Sequence, residues 1–464
     1  MDSYKSLDKV YIPEIVDDAY DNVYTDNNIS EYSVDDFRNL CLALEASYNA
    51  HAIKYQKINE IINRINNYSY AFSDVQFSTV VREFCVIDII TELIKFDDQD
   101  EESDDHQYLQ SNLLLLVNFT SKSVPLCKWC IRKGTINVII NSIWHYDEIS
   151  MSFSLTIFNN LLTIGFNIGQ VILIPKIANI SIKIIHSSST NSTIAAKILS
   201  SISLIKLPQE QKTKDIFQKV INNFYYIFDK RITEAYTNAL KGLIGIILND
   251  SCFITEKIMD ICIYILIHSN NINQHFYSLK LIKLLFCLTN DSKLIFIFSQ
   301  QLFGNQKQFQ EIFNLINSNY DFIQLSIINI FQEISFKVPN FINLLIENKI
   351  SAKIHELFSS SNFILKQSIS YLICIMIQKG TIIHLEYICQ NGLLSYLFEV
   401  FDSSPTNEIA LEIIHTLIQC QTKYKYTKKY INYYDLQYFY NFIQENPQFE
   451  ISMESIKEFF DEAT

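Results

Sequence analysis

One beat runs through this sequence. Apolar helical segments, each interrupted by a single small or polar slot residue, recur at Asn118 (Leu-Leu-Leu-Leu-Val-Asn-Phe-Thr), Asn160 (Thr-Ile-Phe-Asn-Asn-Leu) and Ser201 (Lys-Ile-Leu-Ser-Ser-Ile). The same slot returns at Gly245, Cys287, Glu333, Cys374 and Thr416. Successive spacings are 42, 41, 44, 42, 46, 41 and 42 residues. A period this steady marks a stacked repeat, in which no unit buries its faces alone and each neighbour completes the other's core.

Upstream of each slot lies a second segment with apolar residues at i, i+3, i+4 and i+7, which is helical spacing. These segments fall at 86–96, 136–144, 177–185, 216–228, 258–267, 309–316, 352–358 and 393–401. Many end in polar breaks, such as Asn317-Ser318-Asn319 and Ser359-Ser360-Ser361-Asn362, which suit the N-cap of a following helix. Residues 123–133 and 381–390 supply a shorter third helix. Three helices in about 42 residues is the armadillo range. The expected fold is therefore all-α, a right-handed α-solenoid of about nine armadillo-type three-helix repeats. Its expected parts are an acidic, partly disordered arm at 1–48, one long solenoid domain at 49–445 and a capping helix at 446–464.

Composition agrees. Only 8 glycines and 7 prolines occur in 464 residues, whereas hairpins, sandwiches and phosphate loops draw on glycine for positive φ. The chain is 48% hydrophobic and 13% aromatic, enough for a large core, and no run of 18 apolar residues predicts a membrane span. The first residues carry acids rather than a basic start and an apolar stretch, so no secretory signal is read and a cytoplasmic or nuclear location is expected. The ten cysteines are scattered, several in apolar runs, as befits reduced and buried thiols.

The net charge of −13 is concentrated. Residues 1–45 hold eleven acids against Lys5, Lys9 and Arg38, and residues 97–105 hold seven acids and no base. Such runs are ordinarily solvated, although Tyr4, Val10, Tyr11, Ile12, Tyr20 and Tyr24 leave docking of the arm open.

Within 51–165, Ile61-Ile62-Asn63-Arg64-Ile65, Phe77-Ser78-Thr79-Val80-Val81-Arg82-Glu83-Phe84, Leu116-Val117-Asn118-Phe119 and Cys130-Ile131-Arg132-Lys133-Gly134 form a connected pattern. It resembles the opening armadillo repeats of importin-α, the nuclear-import adaptors. The resemblance implies a concave groove lined by the third helices. There, asparagines clamp the backbone of a basic peptide and tryptophans one turn earlier flank its lysines. It also implies an importin-β-type carrier as a partner. Asn118 and Asn160 match the family's asparagine; Ser201, Gly245, Cys287, Glu333, Cys374 and Thr416 do not. Four residues before each slot stand Leu114, Thr156, Lys197, Lys241, Lys283, Asn329, Ser370 and Glu412, with no tryptophan among them. The arm is acidic where the family's is basic.

Position i−4 shares a helical face with its slot. Lys197, Lys241 and Lys283 hold it in three consecutive repeats, with Lys280 a turn further back, so the expected groove set is Asn118, Asn160, Ser201 and these four lysines. A lysine ladder where the family has aromatics predicts an acidic protein or peptide ligand, for which the acidic arm or the 97–105 run would compete. Lysines that merely solubilise a helix face remain the alternative.

Other constellations are weaker. Cys127-Lys128-Trp129-Cys130 lacks both a strand-to-helix junction for redox work and two further ligands for zinc, and is read as a buried structural pair. The nine histidines show no metal spacing. Lys423-Tyr424-Lys425-Tyr426-Thr427-Lys428-Lys429-Tyr430 interleaves bases with aromatics, but one patch on an acidic chain reads as a linker into capping helices rather than a nucleic-acid site. No enzyme activity and no cofactor are expected. The two functions left open are a groove adaptor for nuclear import and an armadillo scaffold in cytoskeletal or signalling assembly.

Overall fold

The computed structural model describes residues 33–50, 55–71, 74–96, 106–164, 173–187, 190–206, 211–403, 412–413 and 415–416. The acidic run 97–105, the base-aromatic stretch 423–430 and the expected capping helices lie outside them. Every regular element among the described residues is helical. None of these helices is long and apolar enough to cross a membrane. Two compact units form, Met1–Phe166 and Asn167–Thr464, where the sequence predicts one long domain. The division falls beside Gly165 and Gly169, two of the eight glycines.

The first unit contains α1 (Val34–Tyr48), α2 (Tyr55–Ala71), α3 (Asp74–Glu83), α4 (Val86–Phe96), α5 (His106–Lys122), α6 (Val124–Arg132), α7 (Thr135–Ser142) and α8 (Glu148–Ile164). The second begins with α9 (Ile174–His186), α10 (Ser192–Leu204), α11 (Gln211–Asp229), α12 (Tyr236–Asn249), α13 (Glu256–His268) and α14 (Ile272–Leu288). It continues with α15 (Ser292–Phe303), α16 (Gln306–Asn314), α17 (Asp321–Lys337), α18 (Phe341–Glu347), α19 (Ile350–Ser360), α20 (Phe363–Lys379), α21 (Ile382–Gln390) and α22 (Leu394–Ser403).

The start of α1 shows how local chemistry sets an element. Ser33 caps the helix by accepting the Asp36 N–H at 3.0 Å, and Asp35 and Asp36 place negative charge in its first turn, where the helix dipole favours it. Phe37, Leu40, Cys41 and Leu44 then recur on one buried stripe. Phe37 stacks on Phe77 at 5.1 Å and on Tyr68 at 5.8 Å. The last fifteen residues of the stretch expected as an arm are thus a packed helix, because their apolar positions fall at helical spacing despite the acids between them.

Helices α3–α4–α5, α6–α7–α8, α15–α16–α17 and α18–α19–α20 are three-helix armadillo repeats. In α9–α10, α11–α12 and α13–α14 the described residues give two long helices each, and before α13 the short first helix is reduced to a 3-10 turn, Ser251–Phe253. The turn from first to second helix repeats a backbone device: Cys85 (φ 50°), Gly134 (φ 80°), Lys349 (φ 59°) and Gly392 (φ 67°) all adopt the left-handed conformation immediately before or near the second helix. Glycine takes this conformation without strain; the other two pay for a Cβ. The third helices pack on one another in chain order, α2–α5–α8 in the first unit and α10–α12–α14–α17–α20 in the second. That arrangement is an α-solenoid, and it turns the slot positions toward neighbouring third helices.

Candidate peptide groove

The slots are where consecutive third helices meet. Asn118 is 6% exposed, and its amide donates to Asn66 Oδ1 of α2 at 3.0 Å. Asn160, half-buried, donates to Thr120 Oγ1 at 3.2 Å and the Val117 carbonyl at 3.5 Å, both on α5. Both asparagines on which the importin-α resemblance rests therefore bind the preceding third helix through their amide nitrogens. Asn66 is itself a slot that the sequence periodicity does not reveal. It stands 52 residues before Asn118, because the 97–105 run lengthens that one repeat. Its visible signal is Asn66-Asn67 inside the amphipathic stretch that begins Ile58-Asn59-Glu60-Ile61-Ile62-Asn63-Arg64-Ile65.

In the second unit Ser201 is half-buried on α10. Gly245 lies so close to α10 that a Cβ would stand 2.7 Å from the Ser203 carbonyl oxygen and 2.8 Å from its carbon. These are backbone atoms that cannot swing away, so close approach requires glycine here. Cys287 donates from its thiol to Glu333, and burial first, then that carboxylate, pushes its pKa up to about 12. Cys374 is buried and hydrogen-bonds Thr416; burial pushes its pKa up to about 12.

Four residues beyond several slots, a long polar side chain reaches back to the end of the preceding third helix. Lys337 donates to the Thr289 carbonyl at 2.8 Å and the Cys287 carbonyl at 3.4 Å. Asn249 donates to the Ser203 carbonyl at 2.8 Å and the Ile205 carbonyl at 3.4 Å, and Lys122 donates to the Ser69 carbonyl. Terminal carbonyls of a helix lack partners within it and carry the negative end of its dipole, so ammonium or amide donors there satisfy both needs. This clamp recurs at three junctions between third helices, α2–α5, α10–α12 and α14–α17, and slot residues alone do not disclose it.

The lysines occupy the open face. Lys197 is exposed on α10, and Lys241 and Lys283 are half-exposed on α12 and α14, three third helices packed in succession. The Lys241 ammonium sits 5.1 Å from the Tyr277 ring centroid, within cation–π range. Lys280 is half-buried beside Lys283; burial first, and then the neighbouring charge, lower its pKa. Seven residues beyond an i−4 position the helix returns to the same face. There Leu204 (56% exposed) and Leu248 (58%) stand open; after α14 the position is Asn290, and on α17 it is Phe336 (44%), with the Lys379 ammonium 4.1 Å from its ring centre. The face of the second unit thus combines a cationic row with exposed leucines. The ladder ends after α14: α17 carries Asn329 and Glu333, and Ser370 of α20 is fully buried.

The remaining candidates hold the fold together. Cys127 and Cys130 are buried; burial pushes Cys127 up to about 11 and Cys130 further still, and the Cys127 thiol donates to the Thr120 carbonyl at 3.1 Å. A thiol so raised is no nucleophile at neutral pH. Among the described residues no group of three or more His, Cys, Asp or Glu side chains is placed to hold a metal ion. His384 is buried, accepting the Thr381 N–H at 3.0 Å through Nδ1 and donating from Nε2 to Asn343 Oδ1 at 2.7 Å.

No protein-family model matches the chain, and no curated protein matches it. Among solved structures, the crystal structure of an engineered protein is similar at a TM-score of 0.69 and 10% identity, covering 92% of this chain and 98% of its own. A designed armadillo repeat protein in complex with the peptide (KR)4 matches at a TM-score of 0.36 and 10% identity, covering 63% of this chain and 98% of its own. The first likeness shows the fold. The protein is an all-α repeat solenoid; its repeats are of armadillo type, with third helices stacked in chain order.

Proposed function

We propose that this protein is a non-enzymatic binding scaffold whose second unit holds an extended partner segment that is acidic and carries leucine-like side chains. One observation carries the reading: Lys197, Lys241 and Lys283 stand on three successive third helices, and Leu204 and Leu248 are exposed on the same face of the first two. Cations spaced one per repeat match carboxylates along an extended chain, and the exposed leucines give affinity that charge in water does not supply. Charge chiefly sets specificity and on-rate, so binding weakens as salt shortens the Debye length below roughly 8 Å.

The importin-α resemblance supports a finer reading, cargo recognition for nuclear import, with an importin-β-type carrier and a cytoplasmic and nuclear location. It rests on the first repeats, where Asn118 and Asn160 stand at the family's positions. Capture of partners by the wild-type chain and by Lys197→Glu/Lys241→Glu/Lys283→Glu, compared by mass spectrometry, tests both levels. Loss of partners bearing acidic segments supports the groove reading, and an unchanged partner set removes it. Recovery of importin-β or Ran-linked factors supports transport, and their absence favours cytoskeletal or signalling assembly.

A further inference from the structure

The first unit carries a second electropositive feature, away from any slot. A pocket of about 390 Å³ is lined by Arg82, Pro125, Lys128, Trp129, Arg132 and Lys133. The Arg82 guanidinium lies 5.4 Å and the Lys133 ammonium 5.8 Å from the centre of the Trp129 ring. Among the described residues no acid lines the pocket. Among the described residues only one of its four cations has a carboxylate partner, Lys133 with Asp88 at 2.7 Å. Four cations around one half-exposed indole, in a chain of net charge −13, repel one another and favour an anionic occupant.

We infer that this pocket is the docking site of the chain's own acidic segment, residues 1–32. That segment lies outside the described residues and holds eight acids against Lys5 and Lys9. Its point of attachment is close by. It joins α1 at the cap residue Ser33, and five residues on, about 7.5 Å along the helix, Arg38 of α1 pairs with Glu83 at 3.5 Å. Glu83 is the neighbour of Arg82 on α3, and α1 packs against α3. A segment of this length spans many times that distance at about 3.3 Å per extended residue, and tethering holds its carboxylates near the pocket at an effective concentration in the millimolar range. Asp17, Asp18 and Asp21 form the densest acidic cluster of the segment, flanked by Tyr20 and Tyr24, and carboxylates and aromatic rings are the groups that guanidinium, ammonium and indole faces bind. The acidic segment is thereby held in the first unit, beside its own attachment, and the lysine ladder of the second unit is left to an external acidic partner. The pocket and its occupant stand or fall apart from the groove reading, since none of their residues belongs to the ladder.

Zero-length carbodiimide coupling of the full-length chain, followed by peptide mapping, tests the contact, because it joins only a lysine and a carboxylate in direct contact. The expected result is Lys128 or Lys133 coupled to carboxylates within 1–32, with a yield independent of protein concentration and lost at high salt. The same coupling is lost in Arg82→Glu/Arg132→Glu and in Asp17→Asn/Asp18→Asn/Asp21→Asn; the latter changes no residue of the described fold. Coupling of Lys128 and Lys133 to residues 97–105, coupling whose yield rises with protein concentration and so marks a second copy, or no coupling to 1–32 at all, each overturns the inference.

Discussion

Lys337 holds two carbonyls at the end of α14 with one ammonium, at 2.8 Å and 3.4 Å. Its half-buried setting makes these bonds stronger than exposed ones, since a charged donor to a carbonyl contributes about 1.5–3 kcal/mol. Lys337→Ala is expected to lower stability by about 2 kcal/mol in urea unfolding, whereas an exposed control such as Lys293→Ala changes it by under about 0.5 kcal/mol. His384 gives a pH prediction with a defined sign. Burial lowers its pKa below the ordinary 6.5, so the unfolded chain binds the proton more readily than the folded one. The neutral ring's stabilisation is complete above about pH 6.5 and declines as pH falls through the folded value. Between about pH 7.5 and pH 5.5 the wild type should lose more stability than His384→Gln, measured by urea unfolding. Equal losses would show that the ring does not carry the effect. Neither residue is singled out by sequence. Lys337 is one lysine among many until the end of α14 is placed beside it, and the role of His384 depends on Asn343 from another repeat.

At the scale of elements, the shared left-handed turn separates positions that glycine occupies from positions that it does not. Gly134 has open space where a Cβ would go, so only backbone conformation opposes Gly134→Ala, at an expected cost of about 1 kcal/mol. Lys349→Gly runs the other way. It relieves left-handed strain of about 1–2 kcal/mol against an entropic penalty of about 0.5–1 kcal/mol, and should raise the Tm; a lower Tm would mean that the lysine side chain matters more than its backbone. The helices themselves were legible because apolar spacing of 3.6 residues and a period near 42 are independent signals that agree. The segments at 86–96 and 123–133 coincide with α4 and α6 almost residue for residue. Two features were not legible. The Asn66 slot was displaced by the 97–105 run, and α1 was hidden by acids that, at the start of a helix, stabilise it.

For the whole molecule, charge sign distinguishes this solenoid's open face from the basic-peptide groove that the importin-α resemblance implies. That face was partly readable: i−4 arithmetic finds the lysines from sequence, while the exposed Leu204 and Leu248 depend on knowing which helix ends stay uncovered. The direct measurement is a titration of the full-length chain with two fluorescent extended peptides of equal length, one alternating glutamate with leucine and one alternating lysine with arginine, read by anisotropy across a salt series. The acidic peptide should bind, weaken steadily with salt, and lose at least about tenfold in affinity, or about 1.4 kcal/mol, in Lys197→Glu/Lys241→Glu/Lys283→Glu. Tight binding of the basic peptide with none of the acidic one would contradict this account of the groove.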